Sequence, residues 1–207
     1  MTDKKTIGVL ALQGAFLEHE QQLAALGLPC REIRQRADLG DDLAGLVLPG
    51  GESSVQNKLL RDLDLFHPLQ ERIRQGLPVL ATCAGLILLA DEVEGESRPG
   101  FRTMPVSVRR NAYGRQLGSF TATGDFDDLG PIEMRFIRAP AIESVQPDVK
   151  VLARIGTSIV AVQYQHQLAM AFHPELCPDL RIHARFAALC QLERHTTATK
   201  AAQNMLQ

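Results

Sequence analysis

Residues 78–89 read Pro78-Val79-Leu80-Ala81-Thr82-Cys83-Ala84-Gly85-Leu86-Ile87-Leu88-Leu89, an apolar run of strand length that meets an apolar helix with no loop between them. Pro78 to Thr82 is read as a buried strand, and the helix follows at once from Ala84 to Glu92. Cys83 stands at the junction, with small residues two positions before it (Ala81) and two after it (Gly85). This is the pattern of a nucleophile elbow, where the residue between strand and helix takes a strained backbone and its close neighbours must be small. A sulfur so placed stands clear at the carboxyl end of the strand. It faces the first helical turn, whose unpaired N–H groups favour a thiolate. The N–H of Ala84 is placed to donate to an oxyanion.

On either side of this junction the chain alternates in the same way. Thr6 to Leu12 is a continuous apolar run, read as a strand, and Ala15 to Leu26 is a helix closed by Gly27. Pro29–Ile33 and Leu43–Leu48 are further strands, the second broken by Pro49-Gly50-Gly51. A helix capped by Ser53 or Ser54 then runs to Arg74, with a break near His67-Pro68. Apolar strands alternating with helices imply a parallel sheet covered on both faces. From Met104 the segments shorten and alternate: Met104–Val108, Leu117–Thr123, Met134–Ile137, Val149–Arg154, Ser158–Tyr164 and Leu168–Phe172. These read as antiparallel strands added to the parallel core, and Pro178 to Glu193 reads as a closing amphipathic helix. The expected fold is α/β, a three-layer sandwich with a mostly parallel central sheet and antiparallel additions in the second half. Residues 1–193 are expected to form a single domain and 194–207 a polar, frayed tail.

Composition narrows the function classes. The chain has 207 residues, a formal charge of −2 and 45% apolar residues, enough to bury a large core without staples. Near-neutral charge gives no reason to expect nucleic acid or anionic lipid as a partner. The one basic cluster, Arg109 to Arg115, holds a single aromatic, Tyr113, and reads as a solvated loop or as a source of an arginine for a substrate carboxylate. The longest apolar stretch, Val79 to Ala90, is too short to span a bilayer. No signal core follows the first residues, so a cytoplasmic location is expected. Cys30, Cys83, Cys177 and Cys190 include no C-x-x-C pair and are read as free thiols. No metal-ligand spacing occurs, and no cofactor is expected.

A thiol nucleophile needs a base. His173 follows the apolar segment Leu168–Phe172, and Glu175 lies two residues on, where it can reach the imidazole from the far side and fix its tautomer. Cys83 and His173 both fall at strand ends, where ligands bind in open α/β sheets. The other histidines (His19, His67, His166, His183, His195) lie in or beside helices and loops and are read as solvated or capping. Pro49-Gly50-Gly51-Glu52-Ser53 ends a strand on the same sheet edge. It is either a helix-capping turn or a second oxyanion donor and cradle for a polar substrate.

Six blocks carry a resemblance: Leu10 to Ala15 (LALQGA), Leu48 to Ser53 (LPGGES), Thr82 to Ile87 (TCAGLI), Arg110 to Gln116 (RNAYGRQ), Phe136 to Pro140 (FIRAP) and Phe172 to Leu176 (FHPEL). In this order the chain resembles the glutaminase subunits of pyridoxal 5′-phosphate synthase, which are triad (class I) glutamine amidotransferases. The resemblance implies hydrolysis of L-glutamine to glutamate and ammonia, with Cys83 as nucleophile, His173 as base and Glu175 as its orienting carboxylate. It implies an oxyanion held by the N–H groups of Ala84 and Gly51, with the Gln13-Gly14 peptide completing the site. Gly51, Glu52, Ser53, Arg110, Ile137 and Arg138 match glutamine-binding positions. The implied partner is a (β/α)₈-barrel synthase subunit that takes the ammonia and builds pyridoxal phosphate (vitamin B6). Three residues depart from the pattern: Ala81 stands for Gly, Ser54 for Thr, and Cys177 for Thr. Cys177 is read as a loop thiol or an oxidisable neighbour of Cys83. A triad amidotransferase serving another synthase, or a silent binding member of the fold, is the alternative reading. The RNAYGRQ and FIRAP blocks argue against the first, and the intact triad residues against the second.

Overall fold

The computed structural model describes residues 5–95, 99–110, 112 and 118–192. The tail 194–207, Leu117 and most of the RNAYGRQ block (Asn111 and Tyr113 to Gln116) lie outside the described residues. So does Glu193, the last residue of the expected closing helix.

The centre is a parallel sheet of short strands, buried except at its edge strand, Cys30–Ile33. β1 (Thr6–Leu10), β2 (Cys30–Ile33), β3 (Leu43–Leu48), β4 (Val79–Thr82) and a late strand, β12 (Gln167–Met170), lie in the order β2-β1-β3-β4-β12, and every pair along that order is parallel. The continuous apolar runs are explained by burial: Ile7, Val9, Leu46, Val47, Leu80 and Leu168 are all fully buried. Beyond β12 the sheet turns antiparallel through β11 (Ser158–Tyr164), β10 (Lys150–Ile155), β7 (Ser119–Phe126) and β8 (Gly130–Ile137). Helices α1 (Phe16–Ala25), α2 (Ser53–Asp62), α3 (Phe66–Arg74), α4 (Ala84–Leu89) and α5 (Arg181–Leu189) pack around the sheet. The architecture is the expected mixed α/β sheet, with a parallel core and antiparallel additions.

Three elements differ from the sequence reading. The helix after Cys83 stops at Leu89, because Ala90 takes an extended ψ of 139°. Ala90–Val93 instead forms β5, parallel to β6 (Met104–Arg109). The last-turn carbonyls of α4 find their donors outside the helix. Phe101 N–H donates to Leu88 O at 2.6 Å and Thr103 N–H to Leu89 O at 3.0 Å, so returning chain replaces the next helical turn. A strand not expected, β9 (Ala141–Val145), bridges β6 and β11; it buries only Ile142, too little to register as a periodic segment. The break expected near His67-Pro68 in the helical stretch Ser53 to Arg74 falls earlier, at Leu63–Leu65, where Asp64 has φ 53°. Pro68 sits in the first turn of α3, where its missing N–H costs nothing. Glu52 and neither serine occupies the cap position of α2.

Candidate active site

Cys83 leaves β4 with φ 46° and ψ −97° and forms the cap residue of α4. This left-handed conformation is costly for a residue with a side chain, and it turns the thiol out of the strand direction. The small flank is needed: a β-carbon on Gly85 would overlap the Leu48 carbonyl, so α4 packs directly on β3. Cys83 N–H donates to Met170 O at 2.9 Å, tying the elbow to β12.

That strand brings in the base. β4 and β12 are paired with Thr82 opposite Met170, so Cys83 and His173 leave neighbouring parallel strands at the same end. His173 is anchored by its N–H to Arg135 O at 2.8 Å, and on one side its ring lines the same cleft as the Cys83 thiol. On the other side Nδ1 lies 2.7 Å from Glu175 Oε1, in the 3₁₀ turn Pro174–Leu176. Burial works against a charged imidazole here. The hydrogen bonds to the Cys83 sulfur and to Glu175 outweigh it and push the His173 pKa up to about 10. Glu175 is 3% exposed. Burial opposes its charge, yet His19 and the hydrogen bond from His173 hold its carboxyl below the usual range.

A cleft of about 220 Å³ opens over the pair, lined by Gln13, Gly14, Gly51, Glu52, Ser53, Cys83, Arg110, Ile137, Arg138 and His173, among others. Of the residues expected at the site, these share the cleft. Ala84 and Glu175 are buried beneath it. Glu52 and Arg110 meet at 2.8 Å across one wall, a cation and an anion with exposed faces that suit the two ends of an amino acid. Cys83 Sγ lies 3.9 Å from Ile137 O, and Arg138 has φ 44°. The first and third strand ends are stitched together: Glu52 N–H donates to Gln13 Oε1 at 2.8 Å and Ala15 N–H to Gly50 O at 3.0 Å. Gln56 Nε2 donates to Gln13 O at 2.9 Å and Pro49 O at 3.1 Å. Gly50 admits nothing larger, since a β-carbon there would overlap the His173 ring. A wider groove of about 610 Å³, lined by Lys5, Arg72, Pro78 and His166, lies at the amino ends of the strands, away from the thiol and imidazole.

One expectation is corrected. His19 and His183 are neither solvated nor capping; both are fully buried, and they join each other at 2.9 Å behind Glu175. Their signal lay in helical spacing, with His19 three residues after Phe16 and four before Leu23, and His183 three before Phe186. Cys177 is the expected loop thiol, in the bend after the 3₁₀ turn Pro174–Leu176, but it is buried. It is 2% exposed, with its sulfur 3.5 Å from Glu133 O, and burial, helped by Glu133, pushes its pKa up to about 11. Gln56, which braces the cleft floor, gave no sequence signal. Among the described residues no group of three His, Cys, Asp or Glu side chains is arranged to hold a metal ion, and no helix is long and apolar enough to cross a membrane.

Comparison with known proteins places this geometry. The SNO glutamine amidotransferase family matches residues 9–192. A protein of Desulfitobacterium hafniense named pyridoxal 5'-phosphate synthase subunit PdxT is 58% identical over 180 residues, 87% of this chain and 90% of that protein. Proteins of the same name from Methanocorpusculum labreanum and Streptococcus pneumoniae are 54% and 48% identical, over 87% and 91% of this chain and 95% and 98% of theirs. A crystal structure described as a glutamine amidotransferase superposes with a TM-score of 0.86 at 40% identity, covering 90% of this chain and 99% of that one. The Thermotoga maritima PurLQS structure, at 14% identity and a TM-score of 0.66, shares the fold.

Proposed function

Since this chain belongs to the SNO glutamine amidotransferase family, we propose that it is the glutaminase subunit of a pyridoxal 5′-phosphate synthase, freeing ammonia from L-glutamine for a barrel-shaped synthase subunit. The observation that carries the mechanism is that His173 lines one cleft with Cys83 and is paired at 2.7 Å with Glu175.

The steps follow from these partners. His173 Nε2 takes the Cys83 thiol proton as the sulfur attacks, and Glu175 holds the Nδ1–H of the ring. Glutamine enters with its α-amino and α-carboxylate groups toward Glu52 and Arg110, and its amide toward the sulfur. The thiolate attacks the amide carbon, and the oxyanion that forms is held by the N–H groups of Ala84 and Gly51, with the Gln13-Gly14 peptide beside them. His173 Nε2–H gives its proton to the leaving nitrogen, ammonia departs, and a glutamyl thioester remains. His173, now neutral, takes a proton from water as the water attacks the thioester. The C–S bond breaks, glutamate leaves, and His173 returns its proton to the Cys83 sulfur. Ser53, Ile137 and Arg138 complete the cleft wall. A cytoplasmic site of action fits four cysteines that stand as free thiols.

The test is glutaminase activity measured with and without the barrel synthase. Activity is expected to rise on adding it, and Cys83→Ala is expected to abolish glutamine turnover while leaving synthesis from added ammonia intact. Turnover remaining in Cys83→Ala would place the nucleophile elsewhere.

A further inference from the structure

Glu175 has a second carboxylate oxygen. Oε2 is buried and has no hydrogen-bond partner among the described residues, an expensive state for a charged group. His19 Nε2 stands 3.5 Å from it and 3.2 Å from Thr82 Oγ1, and both carboxylate and imidazole are fully buried. On its other side His19 Nδ1 meets His183 Nε2 at 2.9 Å. His183 Nδ1 has no partner among the described residues.

These contacts fix the proton positions. If His183 carried its proton on Nδ1, a buried N–H would be orphaned; with the proton on Nε2, the bare nitrogen is a lone pair, which is cheaper to leave. His183 then donates to His19 Nδ1, so His19 holds its own proton on Nε2, on the side shared by Thr82 Oγ1 and the carboxylate. The opposite arrangement would set an imidazole lone pair against a carboxylate lone pair. Both rings are neutral: burial, more than any neighbour, holds His19 below its ordinary pKa and pulls His183 down to about 3.

We infer that His19 is a positioning residue for the glutaminase reaction: its Nε2–H answers Glu175 Oε2 and so holds Oε1 on His173 Nδ1. The inference rests on the assignment of Cys83, His173 and Glu175 as the triad. The same imidazole touches Thr82, which precedes the nucleophile, so one buried ring ties α1 to the strand of the thiol and to the turn of the carboxylate. His183 acts one step further back, by setting the tautomer of His19.

The test uses the full chain assembled with its barrel synthase, and compares His19→Gln with His19→Asn. Glutamine can place an amide N–H where Nε2–H stands, whereas asparagine reaches only the place of Nδ1 and leaves Glu175 bare. His19→Asn is expected to lower kcat about 10- to 100-fold with KM for glutamine nearly unchanged, while His19→Gln recovers to within about threefold of the parent protein. Melting temperatures of the two variants are measured alongside, and a role in packing alone would lower activity in step with them. Equal kcat for the two variants, or a kcat that tracks melting temperature only, overturns the inference. Glu175→Ala in the same assembly separates the two levels. Full activity there overturns the triad itself, whereas loss there with an unaffected His19→Asn overturns only the role of His19.

Discussion

At the scale of single residues, the site depends on close approach. The His173 ring sits where a β-carbon on Gly50 would be, so Gly50→Ala must push the imidazole off line. Misplacing a reacting group by about 1 Å costs on the order of 100-fold in rate. Gly50→Ala is therefore expected to lower kcat by that order in steady-state assays with the synthase present, and an unchanged kcat would show that His173 has room to adjust. The cysteines divide by the same reasoning. With its thiol pushed up to about 11, Cys177 is expected to stay protonated near neutral pH, so limited iodoacetamide treatment followed by peptide mapping should find the label on Cys83. Cys83 and His173 were legible in the sequence because their signals are local: small flanks at a strand–helix junction, and a His-x-Glu after an apolar run. His19 and His183 were not, because what makes them matter is distant contact: His19 with Glu175, 156 residues on, and His183 with His19, 164 residues before it.

Elements add what residues lack. Helix α4 lies directly against β3 because Gly85 has no side chain, and its last carbonyls are closed by Phe101 and Thr103. Gly85→Ala meets backbone at Leu48 rather than a flexible side-chain end, so it is expected to destabilise the chain by about 1–3 kcal/mol. Urea denaturation would measure this, and a loss below about 0.5 kcal/mol, the range of ordinary surface changes, would mean that the helix can slide. Strand–helix alternation was readable at β1, β3 and β4 because each is almost wholly apolar, whereas β2, at the sheet edge, carries Arg31 and Glu32. The strand at Ala90–Val93 was not, since its sequence continues the helix and only the ladder to β6 makes it extended. Element ends were the least readable, being set by partners distant in sequence.

For the whole molecule, the buried imidazoles couple stability to pH. His183 has a pKa of about 3 when folded and about 6.5 when unfolded; His19 is lowered in the same direction. Between those values the unfolded chain binds protons that the folded chain refuses, so stability falls as pH drops below about 6.5. The lowered carboxyl groups, Glu175 among them, act in the same direction but from below their ordinary range near 4.5. His173 has the opposite sign: its contribution is complete below about 6.5 and is lost as pH rises through about 10. The melting temperature is expected to fall from pH 7 to pH 5, and to fall less in His183→Gln. Parallel curves for the two proteins would remove His183 as the source. No single-chain reading could supply this, nor the adjacency of β4 and β12, which depends on how distant strands pair.

That pairing also sets an order of events at the ribosome. The nucleophile emerges 90 residues before its base, and the base can reach it only after β12 has docked on β4. A nascent chain therefore carries an unassisted thiol while those 90 residues are made, and glutamine is safe from it until β12 is in place. Completion of the fold and onset of hydrolysis are one event.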